Sequence, residues 1–486
     1  MTETTETAGR ASLRRDCLPY VEVLAQSVSV IAPTTVPAAI IGLIFATAGN
    51  GTWLSFLFGM CGMVLVGLNI NQFARRSASP GSLYTYIVQG LGPTAGILGG
   101  WALVFGYTLT GMSTLCGFAI IADLLLGQVF GLHLDVLEWL AIGVALAGYT
   151  ASRDIQMSAR MMLLLECVAL LSVMALGVLI WSSKGFAIDP AQLSLKDTTP
   201  GGVLLGVVLV VFAFSGFESS TALGDEAKDP LRSIPRSVTQ SVLVSGLFFI
   251  FMAYVIVAGF SGEAVGLGES EAPLDALAAR LGWGWLGSLI NVGILLSFFA
   301  CTIASVNSTA RILFAMSRHG LFVDALGEAH QHRQTPHVAV WLASLLTLAL
   351  PAGAVLSGVT SFEAQGHFGT LASFGFIVIY ILITIAAPVY LKRIGRLTVG
   401  ALLCSGGGLV FMSFPLIGVL GIPGSTMLPP IGGTTSLLLG AFTLYMAVGF
   451  AWIAIERNRR PGVIDQLQHT IDKVQVRLSG LSNEVR

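Results

Sequence analysis

Twelve stretches of this chain are apolar over roughly the 20 residues that a helix needs to cross the hydrocarbon core of a bilayer. They run approximately 19–47, 52–74, 94–127, 136–152, 158–182, 200–225, 236–261, 284–316, 337–357, 367–391, 398–421 and 434–455. A soluble domain carries about 25% charged residues because its surface faces water. Here 10% of 486 residues are charged and 54% are hydrophobic, so lipid must cover much of the surface. The sequence therefore predicts an all-α, multi-pass membrane protein of about twelve transmembrane helices.

The basic residues orient it. If the N-terminus is cytoplasmic and the crossings alternate, 22 of the 25 Lys and Arg fall inside, and only Lys184, Lys196 and Arg280 fall outside. One missed or extra helix would scramble that separation. Both termini are thus expected in the cytoplasm, with the chain in the plasma membrane (bacterial inner membrane). Met1 to Asp16 is polar and lacks an apolar core with a cleavage site, so the first span is expected to serve as the insertion signal. A net charge of −1 offers no field for nucleic acid. The six cysteines form no C-x-x-C pair. Gly282-Trp283-Gly284-Trp285-Leu286-Gly287 spells G-x-G-x-x-G but follows no strand, and no other nucleotide, metal or hydrolase motif occurs. No enzyme chemistry and no cofactor is expected.

Two spans are interrupted. The first contains Ser29-Val30-Ile31-Ala32-Pro33-Thr34-Thr35-Val36-Pro37, where two prolines remove backbone donors and clash with the preceding turn. The sixth contains Phe212-Ala213-Phe214-Ser215-Gly216-Phe217-Glu218-Ser219-Ser220, with a glycine among small polar residues near mid-span. Freed backbone groups in lipid cost several kcal/mol each, and persist where protein or a watery cavity satisfies them. The first span begins inside and the sixth outside, which relates two five-helix halves, 19–182 and 200–391, as an inverted repeat. Matching interruptions in such halves mark a binding site at the midplane. Residues 1–18 then form a polar cytoplasmic tail and 398–456 two additional helices.

At these residues the chain resembles the amino acid–polyamine–organocation (APC) superfamily of permeases, over nearly its whole length. The resemblance is most specific in Phe212–Glu218, followed by Gly224-Asp225-Glu226-Ala227-Lys228-Asp229-Pro230 and Ile234-Pro235-Arg236. Pro80-Gly81-Ser82-Leu83-Tyr84-Thr85-Tyr86, Leu91-Gly92-Pro93, and Ala310-Arg311 through Ser317-Arg318-His319-Gly320 are similar to further family motifs. The resemblance implies a LeuT-type core of five plus five helices with two appended. It implies a substrate carboxylate at the first break (Ile31, Ala32, Pro33, Thr34, Thr35) and an amine at the sixth (Phe212, Ala213, Phe214, Ser215, Gly216). Tyr107 is a further lining candidate, with Thr108 and Thr110. Where the family commonly has a glycine-rich G-x-G, this chain has Ala32-Pro33-Thr34-Thr35, and Pro33 cannot donate. That leaves open a carboxylate met by Thr34 and Thr35, an amine lacking a carboxylate, or a bulkier acid.

Charges inside apolar spans are functional candidates by default. Glu166, deep in the fifth span, is a candidate for proton coupling, at a position resembling one where some family members place a lysine in lieu of sodium. Glu218 follows the sixth-span break and either touches an ammonium or braces the break. Ser305, Ser308 and Thr309 offer oxygens for Na⁺. The driving gradient is thus protons or sodium. Beyond Pro461, Ile464, Leu467, Ile471, Val474, Leu478, Leu481 and Val485 recur at heptad-like steps. Residues 462–486 are expected to form an amphipathic helix that pairs with a second copy, lies on the inner leaflet or packs beneath the bundle. The expected function is secondary transport of a small amino acid or amine by alternating access, proton-coupled. The alternatives are a Na⁺-coupled or exchange carrier of an amine without the carboxylate, and a membrane receptor or sensor.

Overall fold

The computed structural model describes residues 12–261, 266–270, 272–282, 284–420, 433–460, 462–464, 466–469 and 471. Helices lie on each of the twelve predicted stretches. The first comprises α1 (Tyr20–Ile31), a π-helical turn (Val36–Ile40) and α2 (Ile41–Ala48). There follow α3 (Thr52–Ala74), α4 (Leu83–Leu91), α5 (Pro93–Phe130), α6 (Val136–Arg153), α7 (Ile155–Ser183), the short α8 (Pro190–Leu193) and α9 (Pro200–Ala213). Next come α10 (Pro230–Phe260), α11 (Pro273–Arg280), α12 (Gly284–Arg318), α13 (His337–Leu356) and α14 (Ser361–Arg393), followed by α15 (Val399–Leu420) and α16 (Gly433–Arg459). Among the described residues, nine helical segments are long and apolar enough to cross a membrane, and there is no strand beyond an isolated bridge between Leu18 and Ala227.

Local chemistry sets the helix ends. Asp135 with Glu138, and Thr360 with Glu363, form capping boxes at α6 and α14, satisfying amides that the first turn leaves open. Asp154 caps α7, and Pro93, Pro200 and Pro230 open α5, α9 and α10 where a missing N–H is harmless. α5 packs along both α12 and α14.

Contacts between loops define two faces. On the N-terminal face, Arg14 pairs with Asp154 at 3.1 Å and the Gln156 amide donates to the Cys17 carbonyl at 2.8 Å. The Cys17 and Leu18 amides donate to the Glu226 carbonyl at 2.9 Å, and the Thr335 hydroxyl reaches the Ser152 carbonyl. On the opposite face Asn50 donates to the Lys196 carbonyl and Gln192 to that of Tyr254. Most of the expected C-terminal helix lies outside the described residues. Within them 462–464 and 466–469 are helical, and Ile464, Leu467 and Ile471, three positions of the expected pairing stripe, are buried against their own chain.

Candidate functional site

Proline favours the first break. The residue preceding a proline is disfavoured in a right-handed helix, and Ala32 ends α1 in the left-handed region at φ 48°. Pro235, Pro351, Pro388 and Pro415 lie inside continuous helices, so Pro33 does not act alone. The Ala32 amide turns back to the Val28 and Ser29 carbonyls. The Thr35 amide and hydroxyl both donate to the Ala32 carbonyl, at 3.0 and 2.8 Å. The chain resumes as a π turn, which takes in Pro37, and continues as α2. π turns inside α-helices recur at functional sites.

The second break follows α9, whose 14 residues rise about 21 Å, short of the hydrocarbon thickness. Residues 214–218 are unwound and a 3₁₀ turn covers Ser219–Leu223. Gly216 has φ 86°, and a Cβ there would strike the Val30 side chain, so glycine is required both by its dihedral and by the approach of α1. The two breaks therefore touch. The Ser219 hydroxyl donates to the Gln26 carbonyl at 3.1 Å and the Ser220 amide to the Ser27 hydroxyl at 3.0 Å.

Between them is a cavity of about 510 Å³. Ile31, Ala32 and Thr35 line it from the first break, and Phe212, Ala213 and Ser215 from the second. Thr110, Ser113 and Thr114 of α5, Phe298 and Cys301 of α12, and Gln365, Gly369 and Ser373 of α14 complete the wall. The mouth opens toward the opposite face, past Leu43 and Phe362, which are 57% and 77% exposed. Among the described residues the lining carries no charged side chain.

The other expected site residues stand behind this wall. Phe214 is fully buried and meets Phe249 of α10 edge-on. Thr34 is buried, and its hydroxyl has no hydrogen-bond partner among the described residues. Tyr107 and Glu218 lie beneath the cavity and belong to one cluster. Tyr107 donates to Glu218 Oε1 at 2.7 Å, Tyr380 donates to Oε2 at 2.6 Å, and the Gly216 amide donates to the Tyr380 hydroxyl at 2.9 Å. Glu218 thus braces the second break against α5 and α14. Glu166 faces α12 and accepts from the Ser297 hydroxyl at 3.0 and 3.2 Å. One turn along α12, the Cys301 thiol donates to the Val30 carbonyl at the first break.

Ser305, Ser308 and Thr309 are buried but engage different partners. Ser308 accepts from the Gln26 amide at 3.1 Å, Thr309 pairs with Thr108 at 3.4 Å, and Ser305 lies 4.0 Å from the Cys301 sulfur. Gln26 also donates to the Ala304 carbonyl at 2.8 Å. Sequence reasoning passed over Gln26 and Tyr380, and likewise Ser297 and the wall residues Ser113, Thr114, Gln365 and Ser373. The available signal was a polar group within an apolar span, which needs a partner there as much as a carboxylate does.

On the N-terminal side the floor is sealed. Arg311 of α12 and Glu226 are both fully buried and form a bidentate pair at 2.6 and 2.8 Å. Arg311 also donates to the carbonyl and side-chain oxygen of Asn307, whose amide donates to Ser158 at 2.8 Å.

A family model described as "Amino acid permease" matches residues 22–422. The branched-chain amino acid permease BcaP of Bacillus subtilis (strain 168) is 24% identical over 469 residues, covering 93% of this chain and 91% of its own. The low-affinity putrescine importer PlaP of Escherichia coli (strain K12) is 24% identical over 388 residues, covering 77% and 81%. The serine/threonine exchanger SteT of Bacillus subtilis (strain 168) is 26% identical over 322 residues, covering 64% and 70%. Among solved structures, MhsT in complex with L-phenylalanine shares the LeuT-type fold, with TM-score 0.58 and 14% identity over 83% of this chain and 98% of that one.

Proposed function

Because the chain belongs to the amino acid permease family, we propose that it carries a net-neutral, zwitterionic amino acid with a small or apolar side chain, driven by protons, through the cavity between its two breaks. That it is a multi-pass membrane transporter of amino acids or related amines, and not an enzyme, follows from the family and its relatives.

The carrying observation is that the cavity lies between opposed half-helix ends and is free of charged side chains among the described residues. α9 enters with its C-terminal, negative end, and the helix resuming at Val36 begins with its positive end. A zwitterion presents one pole to each, whereas a net charge would need a counter-charge that the wall lacks. The apolar patches from Ile31, Phe212 and Phe298 suit an apolar side chain. A second reading, an amine without a carboxylate, is favoured by the first break itself. Pro33 has no N–H and the Ala32 amide is spent within α1.

Protons are favoured over sodium by Gln26. Its NH₂ group donates to the Ala304 carbonyl and the Ser308 hydroxyl, so two oxygens that could ligate a cation already face a donor. What supports Glu166 as the coupling residue is that its partner Ser297 adjoins Phe298 and lies one turn from Cys301, both in the cavity wall. Glu218 is a second proton-bearing candidate, because turning one oxygen from acceptor to donor would rearrange its bond to Tyr107 or Tyr380. The basic N-terminal face is read as cytoplasmic, in a plasma membrane.

Flux into proteoliposomes under separate proton and sodium gradients tests this. Leucine-like uptake driven by an acidic exterior and indifferent to Na⁺ is expected. Uptake of diamines with no response to any amino acid would sink the zwitterion reading and support the second. Glu166→Gln is expected to retain ligand binding but lose the response to a proton gradient. Unchanged pH-driven uptake removes Glu166 from that role.

A further inference from the structure

At the N-terminal face, away from the transport cavity, a second cavity of about 510 Å³ lies between the end of α3 and the start of α10. Three guanidinium groups border it: Arg75, Arg232 and Arg236. Arg75 caps the C-terminal end of α3 and is exposed. Arg232 is 87% exposed and lies 3.7 Å from Asp229, the carboxylate that offsets part of the charge. Arg236 stacks over the ring of Tyr20, the first residue of α1, at 4.7 Å.

The groove continues down α10 in a defined order. Arg236, Gln240, Leu243 and Leu247 recur at steps of four, three and four, which puts them on one stripe. The Gln240 side-chain oxygen accepts from Tyr20, which leaves its NH₂ group as a donor. Leu243 and Leu247 are 38% and 61% exposed, and Val244 beside them is 46% exposed. Read from the end of the helix toward its middle, the stripe is cation, amide donor, then exposed hydrocarbon over about 16 Å. A free anion uses the first part only, and a neutral lipid leaves the arginines unanswered. Basic pockets between membrane helices at this level bind anionic headgroups, and guanidinium forks match phosphate oxygens.

We propose that this groove is a binding site for an anionic phospholipid, its phosphate held by Arg75, Arg232 and Arg236 and an acyl chain lying along Leu243 and Leu247. Because Arg236 also covers Tyr20, the bound headgroup touches the base of the broken helix α1, which ties lipid occupancy to the closed N-terminal side.

The test uses the full-length protein, delipidated in neutral detergent and titrated with phosphatidylglycerol, phosphatidylcholine or inorganic phosphate, with bound lipid read by native mass spectrometry and stability by thermal shift. Retained phosphatidylglycerol adducts and a raised melting temperature are expected, with no such effect from phosphatidylcholine or phosphate. The double variant Arg75→Gln/Arg232→Gln removes two exposed side chains with little packing, and is expected to weaken phosphatidylglycerol binding about tenfold or more. A control, Arg457→Gln/Arg459→Gln, removes equal charge elsewhere near the same face and is expected to leave binding intact. Equal binding of phosphatidylcholine, displacement by inorganic phosphate, or an equal loss in the control would each overturn the site.

Discussion

Glu226 and Arg311 lie 85 positions apart and are buried without exposure, so each is tolerable there only because of the other. Removing one partner of such a pair leaves an uncompensated charge and costs about 3–5 kcal/mol, whereas replacing both by apolar groups is often close to neutral. Glu226→Ala and Arg311→Ala are each expected to lower the melting temperature sharply, and the double variant Glu226→Leu/Arg311→Met is expected to recover much of it. Additive losses in the double variant would show that the two side chains act independently. Both residues sit within motifs that carried the family resemblance, but nothing in their local sequence joins them. The same holds for Glu218, whose phenol donors come from α5 and α14.

Among the elements, α1 and α9 show how far local rules reach. Pro33 and Pro37 together marked the first interruption, and the helix does stop at Ala32, although Pro235, Pro351, Pro388 and Pro415 are accommodated inside continuous helices. Glycine at 216 marked the second interruption, but its stronger reason is spatial, the Val30 side chain pressed against it. Gly216→Ala meets both the left-handed dihedral and that side chain, and strain of this kind costs on the order of 1–3 kcal/mol. It is expected to abolish flux in proteoliposomes, and Val30→Ala in the same chain is expected to restore ligand binding in part, since it removes the Cγ1 clash and leaves the dihedral strain and a close approach to the residue 30 Cβ. Full activity of Gly216→Ala would mean that the breaks do not need to meet. The span-length rule also explains why α9 is short: the crossing is completed by unwound chain and a 3₁₀ turn.

In the whole molecule, one face is shut and the other open. The N-terminal side is closed by the Glu226–Arg311 pair, the Leu18–Ala227 bridge and the Arg14–Asp154 contact, while the cavity opens past Leu43 and Phe362. On the proposed transport reading, this is one of the two end states that alternating access would require. With the exposed Cys61 and Cys167 replaced by serine, Phe362→Cys is expected to react with a membrane-impermeant maleimide added outside intact cells. Labelling only after the membrane is opened would invert the assigned orientation.

Hydropathy, the prolines and Gly216 are local properties, fixed by the few residues around them, and they indicated the helical membrane architecture and the positions of the breaks, while the family was legible from short motifs such as Phe212–Glu218 and Gly224–Pro230. Which side chains face the cavity was a different matter. A helix places only about a third of its residues toward any one neighbour, and sequence does not say which neighbour. So Ile31, Ala32, Thr35, Phe212, Ala213 and Ser215 line the hollow, whereas Phe214 turns to α10 and Tyr107 serves Glu218 from below. The roles of Tyr380, Gln26 and Ser297 rest on bonds to helices more than a hundred residues away, and only the packed bundle brings those donors and acceptors within reach.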